Sequence, residues 1–161
     1  MTVELRSESE ADTRAIARAL GAALVPGDVV ALTGDLGAGK TVFCKGLGEA
    51  LGIPPERIVS PSFTIVTEHA GRMPFRHVDA YRLSSVREAE EAGLEEYIRG
   101  DGVCAVEWSE KIANLLPNDR IQVTFHFSEE GGDRRRLSVS AGDSPRFHEF
   151  LSRCRPFTTG G

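Results

Sequence analysis

The sequence has little that could cross-link it or anchor it in a membrane. It contains only three cysteines, Cys44, Cys104 and Cys154, an odd number with no CxxC spacing. That excludes a disulfide framework and a zinc knuckle and leaves three buried or idle thiols. No apolar run approaches the ~20 residues a membrane helix requires. The opening MTVELRSESEAD is acidic and polar, where a secretory leader is basic and then apolar. A cytoplasmic protein with no membrane association is therefore expected. Positive charge is scarce as well: 19 Lys and Arg stand against 24 Asp and Glu, a net charge of −5. The one basic run, Arg134-Arg135-Arg136, has no aromatic residue beside it in sequence. Domains that bind nucleic acid unaided concentrate positive charge to displace counterions from phosphates, so any RNA is expected to be held by a partner.

What is present describes an ordinary globule. Of 161 residues, 40% are hydrophobic and 27% charged, which excludes disordered and collagen-like classes. Repeats, low-complexity tracts and linkers are lacking, so a single domain spanning 1–161 is expected. Residues 11–24 carry Ala11, Ala15, Ile16, Ala19, Leu20 and Ala23 on one helical stripe behind a Ser/Glu-rich start that can cap it. Val29 to Thr33 is a short, uninterrupted apolar run typical of a buried parallel strand. A helix is expected from Thr41 to Leu51, closed by Gly52-Ile53-Pro54-Pro55.

After the loop Ser60-Pro61-Ser62-Phe63, strands are expected over Phe63–Glu68 and Phe75–Asp79, followed by short acidic helices over Ser84–Ala92 and Leu94–Arg99. Val103 to Val106 reads as a second buried strand and Glu110 to Leu116 as a short helix stopped by Pro117. Apolar residues alternate at Ile121, Val123, Phe125 and Phe127, and again at Leu137, Val139 and Ala141 across the turn Gly131-Gly132-Asp133. These segments form an antiparallel hairpin, with a last helix from Pro145 to Cys154. The fold class expected is α/β: a three-layer sandwich whose mixed, mainly parallel central sheet is extended by the C-terminal antiparallel hairpin.

The segment Gly34-Asp35-Leu36-Gly37-Ala38-Gly39-Lys40-Thr41 is G-x-x-x-x-G-K-T. Its glycines let successive backbone N–H groups curl around an anion, Lys40 neutralises β- and γ-phosphates, and the Thr41 hydroxyl ligates Mg2+. The helix that follows adds the positive end of its dipole. A strand before the loop and a helix after it form the arrangement this chemistry demands, whereas a structural turn has no need of Lys-Thr, so the expected sandwich is of the P-loop (phosphate-loop) NTPase kind. The site residues expected from the loop are Asp35, Leu36, Gly37, Ala38, Gly39, Lys40, Thr41 and Val42.

A phosphate loop also needs an acid at the end of a neighbouring buried strand, and Glu107 follows Val103–Val106 at such a position. Trp108 beside it is either core filler or a ring lining the site. In His77-Val78-Asp79-Ala80-Tyr81-Arg82, His77 and Asp79 project from one face of a strand. Asp79 then either acts through water or the metal, or forms a plain surface pair with an arginine.

Taken together, GDLGAGKT at 34–41, SPSF at 60–63, HVDAYR at 77–82 and VEW at 106–108 resemble the TsaE (YjeE-like) family, the ATPase of bacterial tRNA threonylcarbamoyladenosine biosynthesis. The resemblance implies ATP, with ADP as product, and Mg2+ at the loop. It implies Lys40 on the phosphates, Thr41 and Glu107 at the metal, Asp79 in catalysis and Trp108 beside the nucleotide. It also implies nucleotide contacts from Ser9, Glu10 and Arg134. The partner it implies is a TsaD–TsaB-like complex, with tRNA met only through that complex and hydrolysis slow in the isolated chain. Two other readings remain open: a small-molecule kinase with Arg134–Arg136 as a lid and His77 and Asp79 gripping an acceptor hydroxyl, and a non-catalytic, nucleotide-dependent interaction module.

Overall fold

The structure is a computed structural model and describes residues 1–159, so the last two residues of the expected 1–161 domain lie outside the described residues. In chain order the elements are β1 (Thr2–Ser7), α1 (Glu10–Ala23), β2 (Val29–Thr33), α2 (Lys40–Ala50), β3 (Val66–Ala70), β4 (Pro74–Asp79), α3 (Val86–Glu91), α4 (Leu94–Ile98), β5 (Val103–Glu107), β6 (Ile121–Phe127), β7 (Arg135–Ser140) and α5 (Pro145–Arg153). The seven strands form one sheet in the order β1-β7-β6-β2-β5-β4-β3. At its centre β2 pairs in parallel with β5 and β6, and β4 in parallel with β5. The outer pairings are antiparallel, so that only β7 and β3 run against the rest. The mixed, mainly parallel sheet with a C-terminal hairpin is thus present.

The uninterrupted apolar runs follow from burial on both faces of the sheet. In β2, Val30 and Leu32 enter the core beneath α1, α2 and α5, while Val29 and Ala31 enter the one beneath α3 and α4. Successive residues of β5 divide in the same way, Val103 and Ala105 to one side, Cys104 and Val106 to the other. Both strands are therefore fixed between two hydrophobic layers, and their carboxyl ends are rigid mounts. Among the described residues no helix is long and apolar enough to cross a membrane.

Helices α1 and α2 approach closely because glycines face each other's backbones. A Cβ on Gly46 would stand 2.5 Å from the Ala17 Cβ and 2.5 Å from the Arg14 carbonyl oxygen. Since α2 begins at Lys40, this contact sets the position of the loop that precedes it.

Four sequence expectations need correction. The N-terminal residues do more than cap a helix: Thr2–Ser7 forms β1 on the sheet edge, a strand with only Val3 and Leu5 to signal it. The buried stripe of α1 is Thr13, Ile16, Ala17, Leu20 and Gly21, and not the alanine-rich line through Ala11 and Ala15, because close helix packing selects small residues at the contact. The strand expected from Phe63 begins only at Val66, since Ile65 has a left-handed φ of 69° and Phe63 is 88% exposed. Residues Ser109–Leu115 form 3-10 turns broken at Ile112, whose φ of −129° interrupts any helix.

Candidate active site

The loop between β2 and α2 curls as its glycines permit. Gly37 and Gly39 have φ of 81° and 109°, a region that L side chains rarely enter. Gly34 is needed for a different reason: a Cβ there would lie 2.9 Å from the Cβ of Phe125 on β6. The turn leaves the amino end of α2 facing a cavity of about 440 Å³, within the usual size range of small-ligand pockets.

Lys40 folds back over this turn. Its ammonium donates to the Gly34 carbonyl and to the Asp35 carbonyl at 3.0 Å, and stands 3.9 Å from the centre of the Trp108 ring. The residue is only 5% exposed. Burial lowers its pKa, against the opposing pull of Glu107, Glu110, Asp79 and Asp35.

Two carboxylates stand opposite the loop on adjacent parallel strands, where the register pairs Asp79 of β4 with Glu107 of β5. The Thr41 hydroxyl lies 3.0 and 3.1 Å from the two Glu107 oxygens, to which it donates. Asp79 accepts from the Ser60 hydroxyl at 2.7 Å and from the Tyr81 N–H at 2.9 Å. Asp79 and Glu107 are each 3% exposed. This set of buried hard oxygens at an amide-lined turn suits a divalent cation with a polyphosphate.

Two non-glycine residues with left-handed backbones flank the site, and each holds a component in place. Trp108 has φ 57°, which brings its indole over Lys40 and within 5.0 Å of the Tyr81 ring. Ile65, a β-branched residue for which such a φ is strained, accepts from the Asp79 N–H at 2.8 Å and donates to Pro61 at 2.7 Å. It thereby ties the Ser60–Ser62 loop to the end of β4.

Most of the expected residues converge. Leu36, Gly37, Ala38, Gly39, Lys40, Thr41, Val42, Asp79, Glu107, Trp108 and Glu10 all line the cavity. Three do not. Asp35 is exposed and meets Lys40 through its carbonyl. Ser9 is engaged as the cap of α1, accepting from the Asp12 N–H at 3.1 Å. Arg134 turns away to Glu8 at 2.8 Å and Glu130 at 2.6 Å.

The arginine that lines the cavity is Arg135, one position on. It donates to the Ala38 and Gly37 carbonyls at 3.2 and 3.1 Å, with its guanidinium 4.4 Å from the Phe127 ring on the facing strand. Adjacent strand residues face opposite ways, so an error of one residue reverses the side chain. Arg136 is drawn to Glu4, so the three arginines do not form a lid. His77 is 0% exposed and bonded to Glu107 at 2.5 Å, out of reach of an acceptor substrate. Sequence reasoning missed Thr13, which lines the cavity from α1 and whose hydroxyl bonds that of Ser7 at 2.7 Å. A single threonine inside an amphipathic helix carries no distinguishing signal.

The chain matches, over residues 7–137, the profile of the family described as threonylcarbamoyl adenosine biosynthesis protein TsaE. It is 46% identical over 138 residues to the tRNA threonylcarbamoyladenosine biosynthesis protein TsaE of Bacillus subtilis, covering 84% of each chain. With the protein of the same name from Treponema pallidum it shares 40% identity, over 83% of this chain and 97% of that one. Among solved structures it is similar to the crystal structure of Bacillus subtilis YdiB, with a TM-score of 0.75 and 36% identity over 97% of this chain and 96% of the other.

Proposed function

The chain belongs to the TsaE family of tRNA threonylcarbamoyladenosine biosynthesis proteins, and from that premise we propose that it is a Mg2+-dependent ATPase whose turnover serves a TsaD–TsaB-like complex modifying tRNA. The observation that carries the reading is the convergence of Thr41 at the start of α2 with Glu107 at the end of β5, 3.0 Å apart, beside the amide-lined loop. A turn built only for structure has no use for a buried carboxylate held against its first helical hydroxyl.

The roles follow from position. The N–H groups of the 37–41 turn and the α2 dipole receive the β- and γ-phosphates, and Lys40 supplies a full positive charge once its ammonium leaves the Gly34 and Asp35 carbonyls. Thr41 and Glu107 would hold a divalent cation, which would supply positive charge against that developing on the phosphate. Asp79, fixed by Ser60 and Tyr81 N–H, orients a water for attack on the γ-phosphorus. Trp108 gives one wall, and Glu10 and Arg135 lie at the cavity margin.

Slow hydrolysis in the isolated chain has a structural rationale. Arg135, the arginine that lines the cavity among the described residues, is engaged with loop carbonyls and so is not free to meet the charge of the transition state. Docking on a partner is the step that completes the site, and the acidic chain meets tRNA only through that partner.

The test is a titration with a non-hydrolysable ATP analogue and Mg2+, followed by calorimetry and by the emission of Trp108, the one tryptophan in the chain. Binding should be saturable and accompanied by an emission change as Lys40 leaves the ring, and Lys40→Ala should abolish it. An analogue affinity unchanged in Lys40→Ala would refute the assignment.

A further inference from the structure

One buried polar side chain beside the site has no part in receiving phosphate. His77 lies in the interior of β4 with 0% exposure, and its ring packs beside Phe75 at a centroid distance of 6.5 Å. Nε2 meets Oε2 of Glu107 at 2.5 Å, while Nδ1 is buried with no hydrogen-bond partner. A carboxylate only accepts, so Nε2 carries the hydrogen of this bond. A side chain that leaves one nitrogen unsatisfied beside Phe75 is not explained by packing, which an apolar residue would serve as well. The bond to Glu107 is the one interaction that accounts for it.

The register makes that bond possible. Ala105 sits directly across from His77, and Glu107 is the diagonal neighbour on the same face. Glu107 accepts from Thr41 on both oxygens, but Oε2 alone has the second donor. Cys44 completes a compact group, with the sulfur, a ring nitrogen and a carboxylate oxygen within 4.8 Å of one another. Burial raises the Cys44 thiol well above its ordinary value.

We propose that His77 is a positioning residue for the cation-side carboxylate: by donating Nε2–H to Oε2 it fixes the plane of Glu107 and leaves Oε1 available, beside the Thr41 hydroxyl, for a divalent cation. This inference rests on the reading of Thr41 and Glu107 as the cation pair. Supporting partners behind a metal ligand set its orientation, and losing one costs about 10–100-fold in metal affinity.

The experiment compares His77→Phe, which keeps a ring and removes the donor, with His77→Gln, which restores an N–H near the position of Nε2. Three quantities are read for each: thermal unfolding, ADP affinity in EDTA, and Mn2+ affinity of the ADP complex by electron paramagnetic resonance. His77→Phe should bind ADP in EDTA as the native chain does and lose roughly 10–100-fold in Mn2+ affinity, with His77→Gln recovering most of the loss. Native Mn2+ affinity in His77→Phe, or no recovery in His77→Gln, overturns the proposal. Should the phenylalanine variant fail to fold, 15N spectra of the native imidazole decide: a proton on Nε2 agrees, and a proton on Nδ1 alone refutes. Glu107→Gln separates the two levels of the argument. If it leaves Mn2+ affinity intact, the cation-pair reading fails; if it lowers Mn2+ affinity while His77→Phe does not, only the positioning role fails.

Discussion

Gly46→Ala tests whether the α1–α2 contact sets the loop. The new Cβ would stand 2.5 Å from the Ala17 Cβ and 2.5 Å from the Arg14 carbonyl oxygen, roughly an ångström inside ordinary contact. Both obstacles belong to the rigid frame of α1, so neither can turn aside as a long side chain would. Overpacking of this kind costs up to about 3 kcal/mol. The gain in helix propensity from glycine to alanine offsets about 1 kcal/mol. The net destabilisation is therefore up to about 2 kcal/mol, or up to roughly 8 °C in Tm for a chain of this size. Gly142→Ala is the matched control, because nothing lies within 4 Å of its Cβ position and its backbone is not left-handed; it should be neutral or stabilising by up to about 1 kcal/mol. Urea unfolding measures both. Because α2 carries Lys40 and Thr41 in its first turn, Gly46→Ala should also weaken nucleotide binding. A Gly46→Ala chain as stable as the native one would refute the close-packing argument.

Further outcomes follow from the same geometry. Asp79→Asn keeps shape and the Tyr81 contact but removes the basic oxygen, so hydrolysis should fall by about 10²–10⁴-fold with ADP affinity retained, as paired turnover and binding assays would reveal. Burial lowers the Lys40 pKa below its ordinary 10.5. Since phosphate is held by the charged form, nucleotide affinity should be full near neutrality and decline as pH rises through that lowered value; an affinity level up to pH 10.5 in calorimetry would contradict this. Burial also pushes the Cys104 and Cys154 thiols up to about 12 and Cys44 well above 9.0. An aromatic disulfide reagent at pH 8 should thus leave the native chain unmodified and titrate all three thiols in guanidinium, whereas one fast-reacting thiol in the native chain would be inconsistent with their burial.

The legible parts of the sequence were those where one physical constraint acts alone. Val29–Thr33 and Val103–Val106 are apolar without interruption because both faces are covered, and that pattern locates the strands and hence Glu107. The loop is legible because Gly37 and Gly39 supply backbone angles that other residues avoid. Elements that depend on distant partners were not legible. β1 is a strand because β7 offers it an edge, and within its own six residues only Val3 and Leu5 are apolar. The choice of Arg135 over Arg134 depends on which face of β7 meets the loop, and the register that decides this is set by pairing with β6. Phe63–Ile65 look like strand by composition but are bent by the hydrogen bonds that Ile65 donates to Pro61 and accepts from Asp79. Neither Thr13 nor the bond between His77 and Glu107 has a local signature, since each meets its partner across separate elements.

On the proposed reading, the loop at 34–41, completed by Glu107 and Asp79, hydrolyses ATP in the service of a protein complex. The most direct measurement is phosphate release by the purified chain, alone and with a TsaD–TsaB pair from the same organism, beside Lys40→Ala. Slow release from the chain alone, stimulation by the pair, and loss of both in the variant are the expected results. Turnover that the pair leaves unchanged, or that survives in Lys40→Ala, would contradict that reading.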